Sequence, residues 1–168
     1  MKLNDGSKYL NIVMFEPEIP QNTGNVARLC ACCNAKLYLI GRLGFSLNDK
    51  YLKRSGLDYW DKLEIEHIID FEEFENMFAK NNTSEELCSR FHFFTTKTNK
   101  LYTDIQYNEG DFLIFGPETR GLPAEILEKY NDRCTTIPMN KNTRSLNLSN
   151  SIAIGAYEAI RQFGGIKP

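Results

Sequence analysis

The chain has 168 residues, of which 42% are hydrophobic and 25% are charged, and its formal net charge is −2. These values predict a single domain over residues 1–168 with a real core, and they exclude a disordered or fibrous chain. They also exclude a uniformly basic coat for nucleic acid, although a local basic patch is compatible with any net charge.

No segment approaches the roughly 20 apolar residues that a membrane-spanning helix needs. The first apolar run is short and ends at Glu16, which is unlike a signal peptide. We therefore expect a cytoplasmic protein without a membrane partner.

The five cysteines are an odd number, which favours free thiols in a cytoplasmic chain. Cys30 and Cys33 form a C-x-x-C pair inside a helical pattern, and no second pair or nearby histidine completes a zinc site. Buried thiols are therefore expected, and no metal is expected. His67 and His92 have no partner pattern and are expected to be structural.

Apolar runs and helical patterns alternate along the chain. Strands are predicted at residues 10–15, 36–41, 91–96, 111–116 and 134–139, and residues 63–68 can add another. Helices are predicted at residues 24–35, 70–80, 123–130 and 150–165. This order predicts an α/β fold with a mostly parallel sheet and helices on both faces, in which ligands collect at the carboxyl ends of strands.

The first polar motif, NTGNVAR, occupies residues 22–28 after the first predicted strand. Residues 22–25 are typical of helix caps and turns, and Val26 begins an apolar stripe that faces the sheet. Arg28 points away from that stripe. The motif is read either as a capped helix with a solvated arginine or as a helix N-terminus that attracts phosphate or carboxylate.

The second motif, FGPETRGLP, follows the buried strand predicted at residues 111–116. Gly116 is expected to let the backbone approach a ligand, Gly121 to adopt a positive φ and Pro117 to stiffen the loop. The alternative is a rigid turn with a surface pair of Glu118 and Arg120. Neither G-x-G-x-x-G nor a P-loop sequence is present, so the fingerprints of dinucleotide and P-loop sites are missing.

The third motif, IPMNKNTRSLNLSNS, mixes hydrogen-bonding side chains with two leucines before the last helix. Its polar members include Ser145, Asn147, Ser149 and Asn150. A long helix cap explains any one of them, but it explains the whole run less well.

In order and spacing, these three motifs resemble those of the SPOUT class of RNA methyltransferases. LNIVMFEPEIPQNTGN, KYLKRSGLDYW and TTK are most similar to the subgroup that methylates the ribose 2′-hydroxyl of the tRNA wobble nucleotide. The resemblance implies a deep trefoil knot at the carboxyl end, S-adenosyl-L-methionine as cofactor, S-adenosyl-L-homocysteine as product, and a homodimer. Residues 1–9 then form an extension that is expected to be loose.

The resemblance also implies roles for individual residues. The catalytic set is Arg28, Glu118, Ser145, Asn147 and Tyr157, with Tyr157 facing the partner's site. The cofactor-binding set is Phe94, Gly116, Ile137, Met139, Ser145 and Leu146. RNA contacts are expected from Arg28 and Arg144.

A basic pair, Lys53 and Arg54, lies among Tyr51, Tyr59 and Trp60 and is a further candidate RNA contact. Ordinary solvated charge is its alternative.

The implied activity is methylation of cytidine 34 or a 5-modified uridine 34 in leucine-type tRNAs. The anticodon stem-loop is then the RNA partner, and no obligate protein partner is expected. Three alternatives are the same chemistry on another tRNA position or on rRNA, a non-catalytic RNA-binding protein, and a flavodoxin-like nucleotide binder.

Overall fold

A computed structural model of the chain describes residues 10–47, 63–79 and 84–164. Lys53 and Arg54, the predicted basic pair, and the predicted extension at residues 1–9 lie outside the described residues.

A parallel sheet forms the centre of the described structure. Its strands are β1 (Asn11–Phe15), β2 (Lys36–Ile40), β3 (Ile65–Ile68), β4 (Phe91–Phe94), β5 (Phe112–Phe115) and β6 (Cys134–Thr135). Their order across the sheet is β3-β2-β1-β5-β4-β6, and each ladder between neighbours is parallel. The apolar runs of the sequence reflect burial of the strands on both faces. The parallel sheet confirms the predicted α/β class.

Helices cover both faces of this sheet, as predicted. They are α1 (Pro20–Cys33), α2 (Phe71–Ala79), α3 (Ser84–Arg90), α4 (Ala124–Lys129) and α5 (Leu148–Gln162). α1 and α5 share one hydrophobic cluster with β1, to which they contribute Val26, Cys30, Ile152 and Ala156. α2, α3 and α4 pack on the other face against an aromatic cluster.

The first helix begins four residues earlier than predicted. Pro20 is its first residue, because a proline without an N–H and with a fixed φ suits the first helical turn. Asn22 and Thr23 are therefore buried inside the helix, and the prediction that they cap it is wrong. Asn34, which ends the helix, adopts the left-handed conformation with a φ of 54°.

Two other elements differ from expectation. The last strand covers only Cys134–Thr135, because the backbone of Thr136 bonds instead to Lys100 and Tyr102, and Pro138 cannot donate to a ladder. Helix α3 was not predicted, because SEELCSR carries too few apolar residues to show a helical period. The predicted knot stays a prediction, since strand order alone does not define threading.

The cysteines are free thiols, as predicted, and Cys30, Cys33 and Cys134 are buried. Burial raises the pKa of the Cys33 thiol to about 11, so this thiol is protonated at neutral pH. Within the described ranges, no three His, Cys, Asp or Glu side chains are grouped as metal ligands, and no helix is long and apolar enough to span a membrane.

A buried polar pair lies near the amino ends of β4 and β5. His92 Nε2 is 2.8 Å from Asp111 Oδ2, and both side chains are buried. The same carboxylate oxygen accepts a hydrogen bond of 2.8 Å from the backbone N–H of Asn108, and Arg90 Nε lies 3.9 Å from the other oxygen. His92 therefore has the structural role that the sequence predicts, and exposed His67 likewise contacts the Gly41 carbonyl at 2.9 Å.

Replacing Asp111 by alanine should lower the free energy of unfolding by about 2–4 kcal/mol, because His92 and the Asn108 N–H lose their buried acceptor. Urea denaturation followed by circular dichroism measures this change. Asp132→Ala, which removes an exposed carboxylate, is the matched control and should change stability by less than about 0.5 kcal/mol. Equal effects of the two substitutions would show that the buried pair does not stabilise the fold.

Candidate active site

A cavity of about 290 Å³ opens at the carboxyl ends of β4, β5 and β6. Its walls are the segments that follow these strands, together with the loop that leads into α5. This is the edge at which a parallel sheet is expected to bind ligands. This volume is just below the lower limit of the range of roughly 300–1,000 Å³ that is typical of small-molecule sites.

Most of the residues that the sequence nominates meet in this cavity. All members of the predicted cofactor-binding set line it, and so do Glu118 and Arg144. Asn147 lies beside the cavity without lining it. Arg28 and Tyr157 are exposed on α1 and α5, and neither lines the cavity.

Aromatic stacking shapes the apolar side of the cavity. The rings of Phe94 and Phe115 stack at 4.4 Å with an interplanar angle of 17°. Gly155 of α5 packs against them, and a Cβ at that position would lie 2.8 Å from Phe94 Cζ. The missing side chain at Gly155 therefore lets the last helix approach the cavity residues closely.

The loop after β5 folds back on itself. A Cβ at Gly116 would lie 2.3 Å from the backbone nitrogen of Leu122, so the loop's own return requires glycine at this position. The expected reason, close approach to a ligand, is not needed to explain this glycine. Gly121 has a φ of 69°, as predicted, and its N–H donates to the Pro117 carbonyl at 3.2 Å.

Glu118 joins this loop to the start of α1. Its Oε2 accepts a hydrogen bond from the backbone N–H of Glu18 at 2.9 Å, and its Oε1 accepts one from the Ile19 N–H at 3.3 Å. The Asn22 side-chain amide also donates to Oε1, at 2.8 Å. A carboxylate at a helix N-terminus is favoured both by the unpaired N–H groups there and by the helix dipole.

Asn22 extends this network to the third motif. Its Oδ1 accepts a hydrogen bond from Asn147 Nδ2 at 3.0 Å. Asn147 in turn caps α5, because its Oδ1 accepts from the Asn150 N–H at 3.3 Å. The segments that carry the three motifs are therefore linked by one chain of hydrogen bonds, Glu118–Asn22–Asn147.

The rigid-turn interpretation predicts a pair of Glu118 and Arg120, but the structure does not contain this pair. The Arg120 guanidinium bonds to Glu16 and lies 3.6 Å from Glu18. Lys97 and Arg144 also line the cavity, and no carboxylate of the described chain pairs with either. The cavity rim therefore has two cations that are not neutralised by the described residues.

Sequence reasoning missed the roles of Asn22, Glu18 and Thr119. The residue type of Asn22 is typical of helix caps, but its side-chain partners lie 96 and 125 residues away. The usable signal was position, since all three residues follow strands whose carboxyl ends share one edge of the sheet.

The model of the SpoU rRNA methylase family matches residues 9–157 of the chain. The chain belongs to this family. A putative tRNA (cytidine(34)-2′-O)-methyltransferase of Listeria monocytogenes is 47% identical to it over 161 residues, which cover 93% of this chain and 90% of that protein. The predicted resemblance to methyltransferases of the SPOUT class is thereby confirmed.

Two solved structures of methyltransferases resemble the chain. One concerns the 2-OH methylation of C/U34 on tRNA and has a TM-score of 0.82, with 38% identity over 94% of this chain and 97% of that one. The other is the SpoU methyltransferase AviRb from Streptomyces viridochromogenes in complex with AdoMet. Its TM-score is 0.78, with 22% identity over 96% of this chain and 60% of that one, and this likeness shows the shared fold.

Replacing Asn22 by alanine should lower the free energy of unfolding by about 1–3 kcal/mol, because Asn147 and Glu118 each lose a hydrogen-bond partner at a mostly buried site. Urea denaturation measures the difference from the unchanged protein. Asn25→Ala is the matched control, since Asn25 is exposed one turn later on the same helix. A loss no larger than that of the control would contradict the network.

Proposed function

We propose that the chain transfers a methyl group from S-adenosyl-L-methionine to the ribose 2′-hydroxyl of tRNA nucleotide 34, a cytidine or a 5-modified uridine. The observation that carries this proposal is the meeting of the whole predicted cofactor-binding set in one cavity. Membership of the SpoU rRNA methylase family supports the proposal further, and so does the 47% identity to the putative tRNA (cytidine(34)-2′-O)-methyltransferase of Listeria monocytogenes.

The cavity suits the cofactor chemically. Ile137, Met139 and Leu146 offer apolar contact for an adenine ring, and Ser145 offers a hydroxyl. Together with Phe94 and Gly116, these residues would hold S-adenosyl-L-methionine. When bound, that cofactor supplies an electrophilic methyl group, so the protein's tasks are to orient the ribose and to handle one proton.

Arg28 is proposed to act on the RNA. An arginine stays protonated in proteins, which excludes it as a simple general base. Its guanidinium instead fixes the adjacent phosphate and stabilises the negative charge that develops on the 2′-oxygen. The proton then leaves through a neighbouring polar group or water.

A homodimer explains why Arg28 and Tyr157 lie away from the cavity of their own chain. α1 and α5 pack together in one cluster. The outer side of α5 exposes Ile154 and Tyr157, with exposed fractions of 36% and 45%. We propose that this face pairs with its copy, which would bring Arg28 and Tyr157 to the partner's site.

The direct test is to incubate the purified protein with tRNA and S-adenosyl-L-methionine and to map ribose methylation by mass spectrometry. We expect one methyl group, on nucleotide 34, in leucine tRNAs. Methylation only of rRNA or of another tRNA position would keep the chemistry and overturn the substrate. No transfer to any RNA would overturn the activity.

Arg28→Ala should lower turnover on saturating tRNA about a hundredfold or more, because the developing oxyanion loses its stabilising cation. Single-turnover kinetics measure the effect. Cofactor binding, followed by calorimetry, should be unchanged. Arg28→Lys keeps the charge without the two-pronged donor geometry and should recover only part of the rate. Near-normal turnover of Arg28→Ala would show that this role is wrong.

The double variant Lys97→Ala/Arg144→Ala should bind tRNA more weakly, because two rim cations that contact phosphates are lost. The slope of log K against log salt should flatten by about 1.4–1.8 for two phosphate contacts. Filter binding across a salt series measures both quantities.

The matched control for this pair is Lys36→Ala/Lys129→Ala, which removes the same charge from two cations that pair with Glu66 and Glu75. We expect the control to leave the salt slope almost unchanged. Equal slopes for the two double variants would remove Lys97 and Arg144 from the RNA surface.

A further inference from the structure

The cavity wall at residues 117–121 is a loop with an exposed tip and few hydrogen bonds of its own. Gly116 and Leu122 are buried where the loop leaves and rejoins the body, but Thr119, Arg120 and Gly121 between them are exposed. Within the loop, the Gly121 N–H donates to the Pro117 carbonyl. A loop with an exposed tip and few internal hydrogen bonds has low local stability, so contacts from outside the loop add to its order.

Glu18 supplies such contacts from the segment after β1. Its Oε1 accepts a hydrogen bond from the Thr119 hydroxyl at 2.9 Å, and its Oε2 accepts one from the Thr119 N–H at 3.2 Å. The Arg120 guanidinium lies 3.6 Å from Oε1. One carboxylate therefore holds two successive residues at the tip of the loop.

The contact is reciprocal. While the Glu18 side chain binds the backbone of Thr119, the Glu118 side chain binds the backbone N–H of Glu18 at 2.9 Å. We call this pair of crossed contacts between Glu18 and residues 118–119 the carboxylate clasp. Crossed contacts resist both sliding and lifting of the loop, because each motion breaks a charge-assisted hydrogen bond.

The loop after β2 packs against the backbone of Pro17 and Glu18. The Gly44 N–H donates to the Pro17 carbonyl at 2.9 Å. A Cβ at Gly44 would lie 2.7 Å from the Glu18 carbonyl oxygen and 2.8 Å from its Cα. The backbone of Glu18 is therefore in close contact with Gly44. This contact fixes the position from which the Glu18 side chain binds residues 119 and 120.

We propose that Glu18 is a positioning residue for the cofactor cavity. It does not line the cavity. It acts through Thr119, and the carboxylate clasp holds residues 117–121 where they form the cavity wall. The inference rests on the proposed function only in taking S-adenosyl-L-methionine as the ligand.

The test compares Glu18→Ala, Thr119→Val and the double variant. Affinity for S-adenosyl-L-methionine, measured by calorimetry, should fall about tenfold for Glu18→Ala and about threefold for Thr119→Val. The double variant should match Glu18→Ala within about twofold, because the Thr119 hydroxyl has then already lost its acceptor. The cofactor KM should rise in the same order while the tRNA KM stays constant.

Hydrogen exchange gives a second readout that needs no ligand. In Glu18→Ala, amide exchange should accelerate in residues 116–122 and stay unchanged in α2 and in β2. Glu109→Ala and Thr103→Val, which alter exposed residues outside the cavity lining, are the matched controls and should change neither readout. Thr119→Val, which keeps the backbone contact, tests the clasp even if Glu18→Ala does not fold.

The outcomes separate the two proposals. Unchanged exchange in residues 116–122, or multiplying effects of the two substitutions on affinity, overturns the clasp. If the protein without substitutions binds no S-adenosyl-L-methionine, the proposed function is overturned. The hydrogen-exchange experiment then still shows whether the carboxylate clasp holds the loop.

Discussion

The Glu118 carboxylate joins segments that lie far apart in the chain. It accepts hydrogen bonds from the N-terminus of α1 and from Asn22, which in turn accepts one from Asn147 at the start of α5. A hydrogen bond to a charged group contributes about 1.5–3 kcal/mol. The bonds that converge on Glu118 are therefore strong enough to keep the loops of all three motifs in one arrangement.

The parallel sheet makes that meeting possible. Because β5 lies between β1 and β4, and β4 lies between β5 and β6, the segments that follow these four strands leave the sheet at one edge. The stacked rings of Phe94 and Phe115 form an apolar wall of the cavity, and Gly155 lets α5 approach these rings closely. Polar contacts thus fix the loops, while apolar contacts shape one side of the cavity.

The arrangement divides the proposed chemistry between two surfaces. The predicted cofactor-binding set lies in the cavity, whereas Arg28 and Tyr157 lie on the exposed side of the α1–α5 layer. A single chain therefore does not place its own Arg28 in its own cavity. Pairing of the α1–α5 faces would complete two sites at once, which makes dimerisation part of the proposed mechanism.

The sequence predicts much of the fold because strands buried on both faces leave apolar runs that need no tertiary context. It fails where tertiary contacts decide. Helix α1 begins at Pro20, so Asn22 lies inside the helix as a buried residue that bonds to Glu118. Spacing along the chain cannot reveal this partner, which is 96 residues away. The predicted cofactor-binding set contains no charged residue, so its members were identified by resemblance to a family.

The most direct test of the central claim is a crystal structure with S-adenosyl-L-homocysteine. We expect the ligand between Gly116, Ile137 and Ser145, with the Glu118–Asn22–Asn147 hydrogen bonds intact and with no direct contact between Glu118 and the ligand. A ligand bound at another surface, or a Glu118 side chain that leaves Asn22 to bind the ligand, would contradict a cavity held in shape by these hydrogen bonds.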